Sequence, residues 1–296
     1  MRSTTASPLT TMPIDPWDPR QYDKFQRERE QPFYALLELV QPAPAMRVVD
    51  LGCGTGKLTR IAHQRLQALE TTGVDRSASM LTEIRAGGLP AGLRFEVGTI
   101  EDFFVQPRGA PASSLAGSGG PKLVEGQASG GYDLILSNAA FHWVENHEAL
   151  LHGLAAALAP SGQLAFQVPA QHDELSHRIA DDLTDVEPFR TAFDGWHRPQ
   201  PVLTPDAYSR LLYRCGFEDP KVRLIVYPHV LASRDQVVEW MKGTLLTEFE
   251  RHLPQGSDVF PQFVEEYRRR LIGALDASRP FFFPFKRILC WGQMSA

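Results

Sequence analysis

The stretch Val48-Val-Asp-Leu-Gly-Cys-Gly-Thr-Gly56 pairs a carboxylate with a run of alternating glycines. Glycines there let the backbone approach a ligand that a Cβ would hold off. A Gly-x-Gly alone is a weak signal, and dinucleotide sites carry a third glycine where this chain has Lys57, which disfavours a nicotinamide cofactor. Asp50 makes the motif more specific. A carboxylate in that turn can take, directly or through water, the cationic amino end of an amino-acid-bearing cofactor, whereas a pyrophosphate would gain nothing from its charge. Asp75, 25 positions further on, ends a second apolar run, where an acidic residue can accept hydrogen bonds from both hydroxyls of a ribose. Taken alone Asp75 reads as a helix cap; coming after a glycine turn at βαβ spacing, it reads as a sugar ligand.

Strands alternating with helices must place these groups. Met46 to Leu51 is a short β-branched strand running into the glycines, and Leu58, Ile61, Ala62, Leu66 and Leu69 form a helical stripe behind it. Thr71 to Asp75 is the second strand, and Ser77 can cap a helix with Met80, Leu81 and Ile84 inward. Strands follow at Leu93 to Gly98, Tyr132 to Asn138 and Gln163 to Pro169, with a helix after Asn146 that turns Leu151, Leu154 and Leu158 to the core. This spacing predicts a doubly wound α/β domain with a parallel sheet, whose ligands sit at the carboxyl ends of the strands. Ahead of it, Tyr22, Phe25 and Arg29, then Phe33, Leu36, Leu37 and Val40, fall at helical spacing, with Pro32 dividing two short helices. Beyond Pro169 the pattern turns polar and aromatic until Thr204 caps a helix closed by Gly216. A strand over Val222 to Leu231, a helix opened by a Ser233/Gln236 capping box and ending near Gly243, a helix near residues 260 to 275 and a strand from Phe281 to Trp291 complete the reading.

Four parts are expected: a disordered tail over residues 1–16, cap helices over 17–44, a ligand-binding core over 45–169 with a mobile loop at 106–131, and a C-terminal part over 170–296 with the last two strands and further cap helices. Hydrophobic residues at 43% and charged ones at 22% are globular values. No apolar run approaches the roughly 18 residues of a membrane span. With 30 basic against 35 acidic side chains and a net charge of −5, a long polyanion is a poor partner. Cys53, Cys215 and Cys290 are too scattered for a zinc or disulfide framework, which fits a reducing cytoplasmic setting without a metal. A monomer acting on a small molecule is expected.

Val-Asp-Leu-Gly-Cys-Gly-Thr-Gly followed by Gly73-Val-Asp75 resembles the cofactor motifs of class I S-adenosylmethionine-dependent methyltransferases. Further blocks resemble the trans-aconitate 2-methyltransferase family: Trp17-Asp-Pro with Tyr22, Phe25, Glu28, Arg29 and Pro32; Ser137-Asn-Ala-Ala-Phe-His-Trp143; Gln167-Val-Pro169 with His177; and Tyr227, His229, Trp240, Thr244 and Phe285-Lys-Arg287. The resemblance implies a Rossmann-like sheet of seven strands with the last antiparallel, a helical cap over the pocket, and S-adenosylmethionine as cofactor. It carries the cofactor contacts onto Asp50, Gly52, Gly54, Asp75 and Asn138, with Cys53, Arg76, Thr99 and Ile100 flanking them. Thr99 stands where the family often has Asp, so Ile100 is the residue left to pack on the base. Residues 106–131 are longer than the family leads one to expect.

A sulfonium cofactor brings an electrophilic methyl, so the protein has to exclude water and align a nucleophile. A carboxylate acceptor is ionised at neutral pH and needs no base. It does need cations or donors, for which Arg287, Arg29, His229 and Tyr22 are candidates, with Trp143 beside them. Each has a plainer alternative: Arg29 paired with a neighbouring glutamate, His229 a satisfied buried histidine, Trp143 and Trp240 core aromatics. Arg287 stands in Phe-Phe-Phe-Pro-Phe-Lys-Arg, where a charge is costly unless paired or facing a polar pocket. A phenol or amine acceptor would instead call on His142 as base. A nucleic-acid methyltransferase is disfavoured by the missing prolines after Asn138 and by the net charge; a non-catalytic cofactor-binding protein is the remaining rival.

Overall fold

The apolar runs become one seven-stranded sheet in the computed structural model, which describes residues 26–85, 88–103, 131–254, 256 and 258–296. The tail at 1–16, the residues before Gln26 and all but Gly131 of the loop at 106–131 lie outside the described residues. In chain order the elements are α1 (Gln26–Leu37), β1 (Arg47–Leu51), α2 (Lys57–Leu66), β2 (Glu70–Asp75), α3 (Ala78–Arg85), β3 (Leu93–Val97), β4 (Tyr132–Asn138), α4 (His147–Ala157) and β5 (Leu158–Pro169). There follow α5 (Leu175–Leu183), α6 (Phe189–Phe193), α7 (Pro205–Arg214), β6 (Phe217–Leu231), α8 (Asp235–Lys242), α9 (Leu245–His252), α10 (Val259–Ala274) and β7 (Phe281–Met294).

The strand order is β3-β2-β1-β4-β5-β7-β6. Strands β1 to β5 pair in parallel and β7 runs antiparallel to β5. The order reverses between β1 and β4, which opens a crevice at the carboxyl ends of those strands. Because side chains alternate along a strand, the sheet has two buried faces. Val48, Leu134, Leu136, Ala165, Leu289 and Trp291 pack with Phe33, Leu36 and Leu37 of α1 and with Ala62 and Leu66 of α2. Val49, Leu51, Ile135, Leu164, Phe166 and Ile288 pack with Leu150, Leu151 and Leu154 of α4 and Tyr208, Leu211 and Leu212 of α7.

Two compact units divide the chain. One holds the sheet and comprises Gln26–Glu174, Pro199–Val230 and Phe282–Ala296. In the other, Leu175–Arg198 and Leu231–Phe281 contribute α5, α6, α8, α9 and α10, centred on Phe263, whose ring meets Phe189, Phe193 and Phe249 at 5.2, 5.6 and 5.1 Å.

Several expectations shift. Pro32 lies inside α1 and does not divide it; the bond lost at its nitrogen is outweighed by the burial of Phe33, Leu36 and Leu37. Leu69 falls beyond α2 and is 59% exposed. Strand β5 begins at Leu158, five residues earlier than its apolar pattern, because Leu158 pairs with Tyr132 across an irregularity that the turn-like Ala-Pro-Ser-Gly conceals. Helix α5 went unforeseen since its buried stripe is Ser176, Ala180 and Leu183, small and only partly apolar. At α8 the capping box forms only in part: Gln236 Oε1 accepts from the Ala232 amide at 2.9 Å, while the Ser233 hydroxyl turns to Asp235. The cap at Thr204 forms as read, accepting from the Ala207 amide, and Asn146 caps the helix that follows it, accepting from Ala149.

Packing holds α1 against the sheet despite its proline, so Phe33→Ala should cost about 3–5 kcal/mol of stability in urea unfolding. A loss below about 1 kcal/mol would show that α1 is not docked there.

Candidate active site

Strand β1 delivers Asp50 into the crevice. The backbone then turns through Gly52 and Gly54, with φ of 75° and 56°, before α2 begins. A Cβ on Gly52 would stand 2.2 Å from the Cβ of Ala140, so no other residue fits beside β4 there. At Gly54 a Cβ would meet nothing within 4 Å; its left-handed φ, rather than crowding, favours glycine, and the bare backbone borders open space. The amides of Gly52 and Cys53 both bond the Val74 carbonyl, at 2.8 and 3.0 Å, tying the turn to β2.

Asp50 is 2% exposed. Its Oδ2 accepts from the Thr59 hydroxyl at 2.6 Å, and its Oδ1 is buried with no hydrogen-bond partner among the described residues. Burial pushes its carboxyl from 3.8 up to about 7; Thr59 opposes the shift and the Asp75 charge adds to it. A carboxylate so placed gains from a cation brought to Oδ1. Asp75, at the end of β2, is half-buried and clamps the turn: its Oδ2 accepts from the Gly54 amide at 2.8 Å and its Oδ1 from the Ser77 amide at 2.9 Å. A carboxylate offers about four acceptor positions, so holding these two amides leaves capacity for ligand hydroxyls; the cap of α3 is Ser77, whose Oγ accepts from the Met80 amide at 3.4 Å.

The flanking positions differ among themselves. Ile100 is half-buried, with its Cδ1 3.8 Å from where a Gly52 Cβ would stand. Thr99 is engaged in its own turn, its Oγ1 accepting from the Asp102 amide and its amide donating to Asp102 Oδ2. Cys53 packs against Leu81, Leu93 and Phe95; burial, then the charges of Asp50 and Asp75, push its thiol far above the usual range, so it is no nucleophile. Arg76 is exposed.

Across the sheet the polar groups continue. Alternation puts Asp50 on the face of Val48, Asn138 on that of Leu136, Gln167 on that of Ala165, Arg287 on that of Leu289 and Tyr227 on that of Ile225, and those apolar neighbours form a single cluster. Asn138 and Gln167 are Cα partners, as are Pro169 and Arg287. Gln167 Nε2 donates to Asn138 Oδ1 at 2.7 Å, and Arg287 Nη1 donates to Gln167 Oε1 at 3.3 Å. Arg287 is 6% exposed, its guanidinium 4.7 Å from the Phe285 ring centroid; His229, also buried, lies with its ring 5.7 Å from the same ring. The Tyr227 hydroxyl is buried without a hydrogen-bond partner among the described residues. Burial raises its pKa and the Arg287 charge partly offsets this.

His142 and Trp143 form a short 3₁₀ turn, Phe141–Trp143, directly after β4, half-buried with ring centroids 4.7 Å apart. Tyr22 lies outside the described residues, and of Arg29 only the backbone, in α1, is described. The sheet thus brings together Asp50, Gly52, Gly54, Asp75, Ile100 and Asn138 at one end of the row and Arg287, His229 and Tyr227 at the other. Gln167 and Tyr227 belong to this row although no role was foreseen for them. A surface cleft of about 580 Å³ between α4 and α7 includes none of these residues, and its Arg210 and Arg214 are paired with Asp206 and Glu148. Among the described residues no cluster of His, Cys, Asp and Glu could hold a metal ion, and no helix is long and apolar enough to cross a membrane.

The methyltransferase domain family matches residues 22–221. The trans-aconitate 2-methyltransferase of Deinococcus radiodurans is 36% identical over 279 residues, which cover 92% of this chain and 96% of that one. That of Streptomyces avermitilis is 33% identical over 287 residues, covering 96% and 98%. The chain belongs to this methyltransferase family. The YcgJ protein of Bacillus subtilis shares the fold, with a TM-score of 0.51 at 16% identity over 89% of this chain and 98% of that one. As a member of the family the chain is an S-adenosylmethionine-dependent methyltransferase with a small-molecule acceptor. The crevice suits that cofactor: Asp50 Oδ1 is an orphaned anionic acceptor for an amino group, and the bare turn at Gly52 and Gly54 leaves room for a ligand.

Two measurements probe the crevice. A cationic amino group binds the ionised form of Asp50, which is depleted below about pH 7. Affinity for S-adenosylhomocysteine should therefore rise between pH 5 and 7 and level off above, with proton release on binding seen by calorimetry in buffers of different ionisation enthalpy; a flat profile removes Asp50 from the amino site. Asp75→Ala should weaken the same ligand by about 1–3 kcal/mol, and unchanged affinity would leave Asp75 a clamp of the turn alone.

Proposed function

We propose that this methyltransferase transfers the methyl group of S-adenosylmethionine to a carboxylate oxygen of a small polycarboxylic acid of the trans-aconitate kind. One observation carries the reading: the buried guanidinium of Arg287 stands on the same sheet face as Asp50 and Asn138, joined to Asn138 through Gln167. A buried arginine is costly unless anions or strong acceptors meet it, and its planar fork matches a carboxylate in bidentate fashion. The Tyr227 hydroxyl beside it is a further buried donor, and the trans-aconitate relatives share most of the chain's length.

In this reading Asp50 takes the cofactor's amino group, Asp75 its ribose, and Ile100 lies against its base, while Asn138 stands between cofactor and acceptor. When bound, the cofactor supplies a methyl group activated by a positively charged sulfur. Arg287, with Tyr227 and His229, holds one carboxylate of the acceptor. A polyacid then keeps a second carboxylate, already ionised at neutral pH, to act as nucleophile. No residue has to remove a proton, so alignment and exclusion of water are the chain's whole contribution. The protein acts in this reading as a cytoplasmic monomer on a free small molecule, and the net charge of −5 argues against nucleic acid.

Mass spectrometry should detect a monomethyl ester from trans-aconitate and labelled cofactor. Arg287→Gln should raise the KM for that acid about 10–100-fold, the worth of a lost charge-assisted hydrogen bond or two, with affinity for S-adenosylhomocysteine kept within about threefold. An unchanged KM, or turnover confined to phenols and amines, would overturn the carboxylate reading.

A further inference from the structure

Three side chains in the row have hydrogen-bonding capacities that leave one consistent arrangement. Arginine carries donors only. The Gln167 amide that meets Arg287 at 3.3 Å must therefore turn its oxygen that way, which directs its nitrogen to Asn138. Asn138 in turn must offer Gln167 its oxygen, at 2.7 Å. Gln167 is 1% exposed, so water is poorly placed to stand in for either partner. The consequence falls on the far side of Asn138: with its carbonyl committed, its Nδ2 hydrogens are what it presents at the half-buried carboxyl end of β4, next to the crevice.

We infer that Gln167 is a positioning residue: it takes its orientation from Arg287 and imposes one on Asn138, so that Asn138 meets its ligand as a hydrogen-bond donor. The inference rests on the assignment of Asn138 to the cofactor site made above. It also explains why a glutamine, and not a glutamate, suits this place on β5. A glutamate would pair with Arg287 and, having only acceptors at neutral pH, would draw the Asn138 nitrogen to itself, leaving the Asn138 oxygen to face the ligand.

Calorimetric titration with S-adenosylhomocysteine tests this without relying on turnover. Gln167→Glu should weaken binding at least tenfold, whereas Gln167→Met, which keeps the shape but imposes no polarity, should weaken it less than threefold. On an Asn138→Ala background Gln167→Glu should cost less than a further twofold, because its effect passes through Asn138. A role in packing alone predicts the opposite order, the methionine and glutamate variants losing melting temperature together with no selective loss of ligand. Wild-type affinity in Gln167→Glu, or a full tenfold loss that persists without the Asn138 amide, overturns the inference. Should Gln167→Glu not fold, Asn138→Asp presents an acceptor oxygen directly and should show the same tenfold loss; wild-type affinity there overturns it equally. Wild-type affinity in Asn138→Ala removes Asn138 from the cofactor site and the inference with it, while an unaltered KM in Arg287→Gln removes only the carboxylate acceptor.

Discussion

Asp50 is a carboxylate taken almost wholly out of water, given one hydrogen bond by Thr59 and left with one oxygen unmet. Holding a charge there is expensive, and its pKa is accordingly raised to about 7. The surrounding structure keeps the group in that condition: β1 is central in the parallel part of the sheet, Gly52 fits only because it lacks a Cβ beside Ala140, and Asp75 pins the turn from β2. A fold that spends stability on such an arrangement is preorganised for a cation, because the cost falls on the free protein and is recovered when the opposite charge arrives.

The same sheet face carries the opposite sign at its other end. From β1 to β7 the polar residues run from Asp50 through the neutral amides of Asn138 and Gln167 to the guanidinium of Arg287, with Tyr227 on β6 beyond. Such an ordering suits two ligands of opposite demand. In the function proposed above, a cofactor bearing an ammonium and a sulfonium takes the acidic end and an anionic acceptor the basic one, and the amides between them carry dipoles but no charge that would favour either ligand in the other's place. In that proposal specificity is electrostatic sorting along a strand order.

Much of the acidic end could be read from the chain because it is local. The turn, Asp50 and Asp75 lie within one βαβ unit, where spacing reports position, and β4 was bounded to the residue by its apolar run between Tyr132 and Asn138. The basic end was less legible. Arg287 could be suspected because a charge among phenylalanines needs a reason, but its partner Gln167 lies 120 positions away. Nothing in the sequence shows that β7 inserts between β5 and β6; without that order, Gln167 reads as one polar residue in an apolar strand and Tyr227 as an ordinary strand aromatic. Helix α5, with its serine and alanine stripe, and the unbroken α1 escaped for a related reason: in both, tertiary packing decides what local pattern leaves open.

Polarity in this row travels in one direction. Arginine cannot accept, so the first amide is oriented by chemistry and not by choice, and each later amide inherits its orientation from the one before. The outcome at Asn138 is thus set by a residue on β7 that acts through Gln167. Substituting Arg287 with a neutral side chain would remove more than a positive charge: either amide could then flip, at the cost of exchanging near-equivalent hydrogen bonds, and the site would lose a single defined pattern of donors before it lost any of its shape. That asymmetry suits an arginine buried beside the Gln167 amide, a place where a lysine's freely rotating ammonium would supply the charge but bind the plane of the glutamine less firmly.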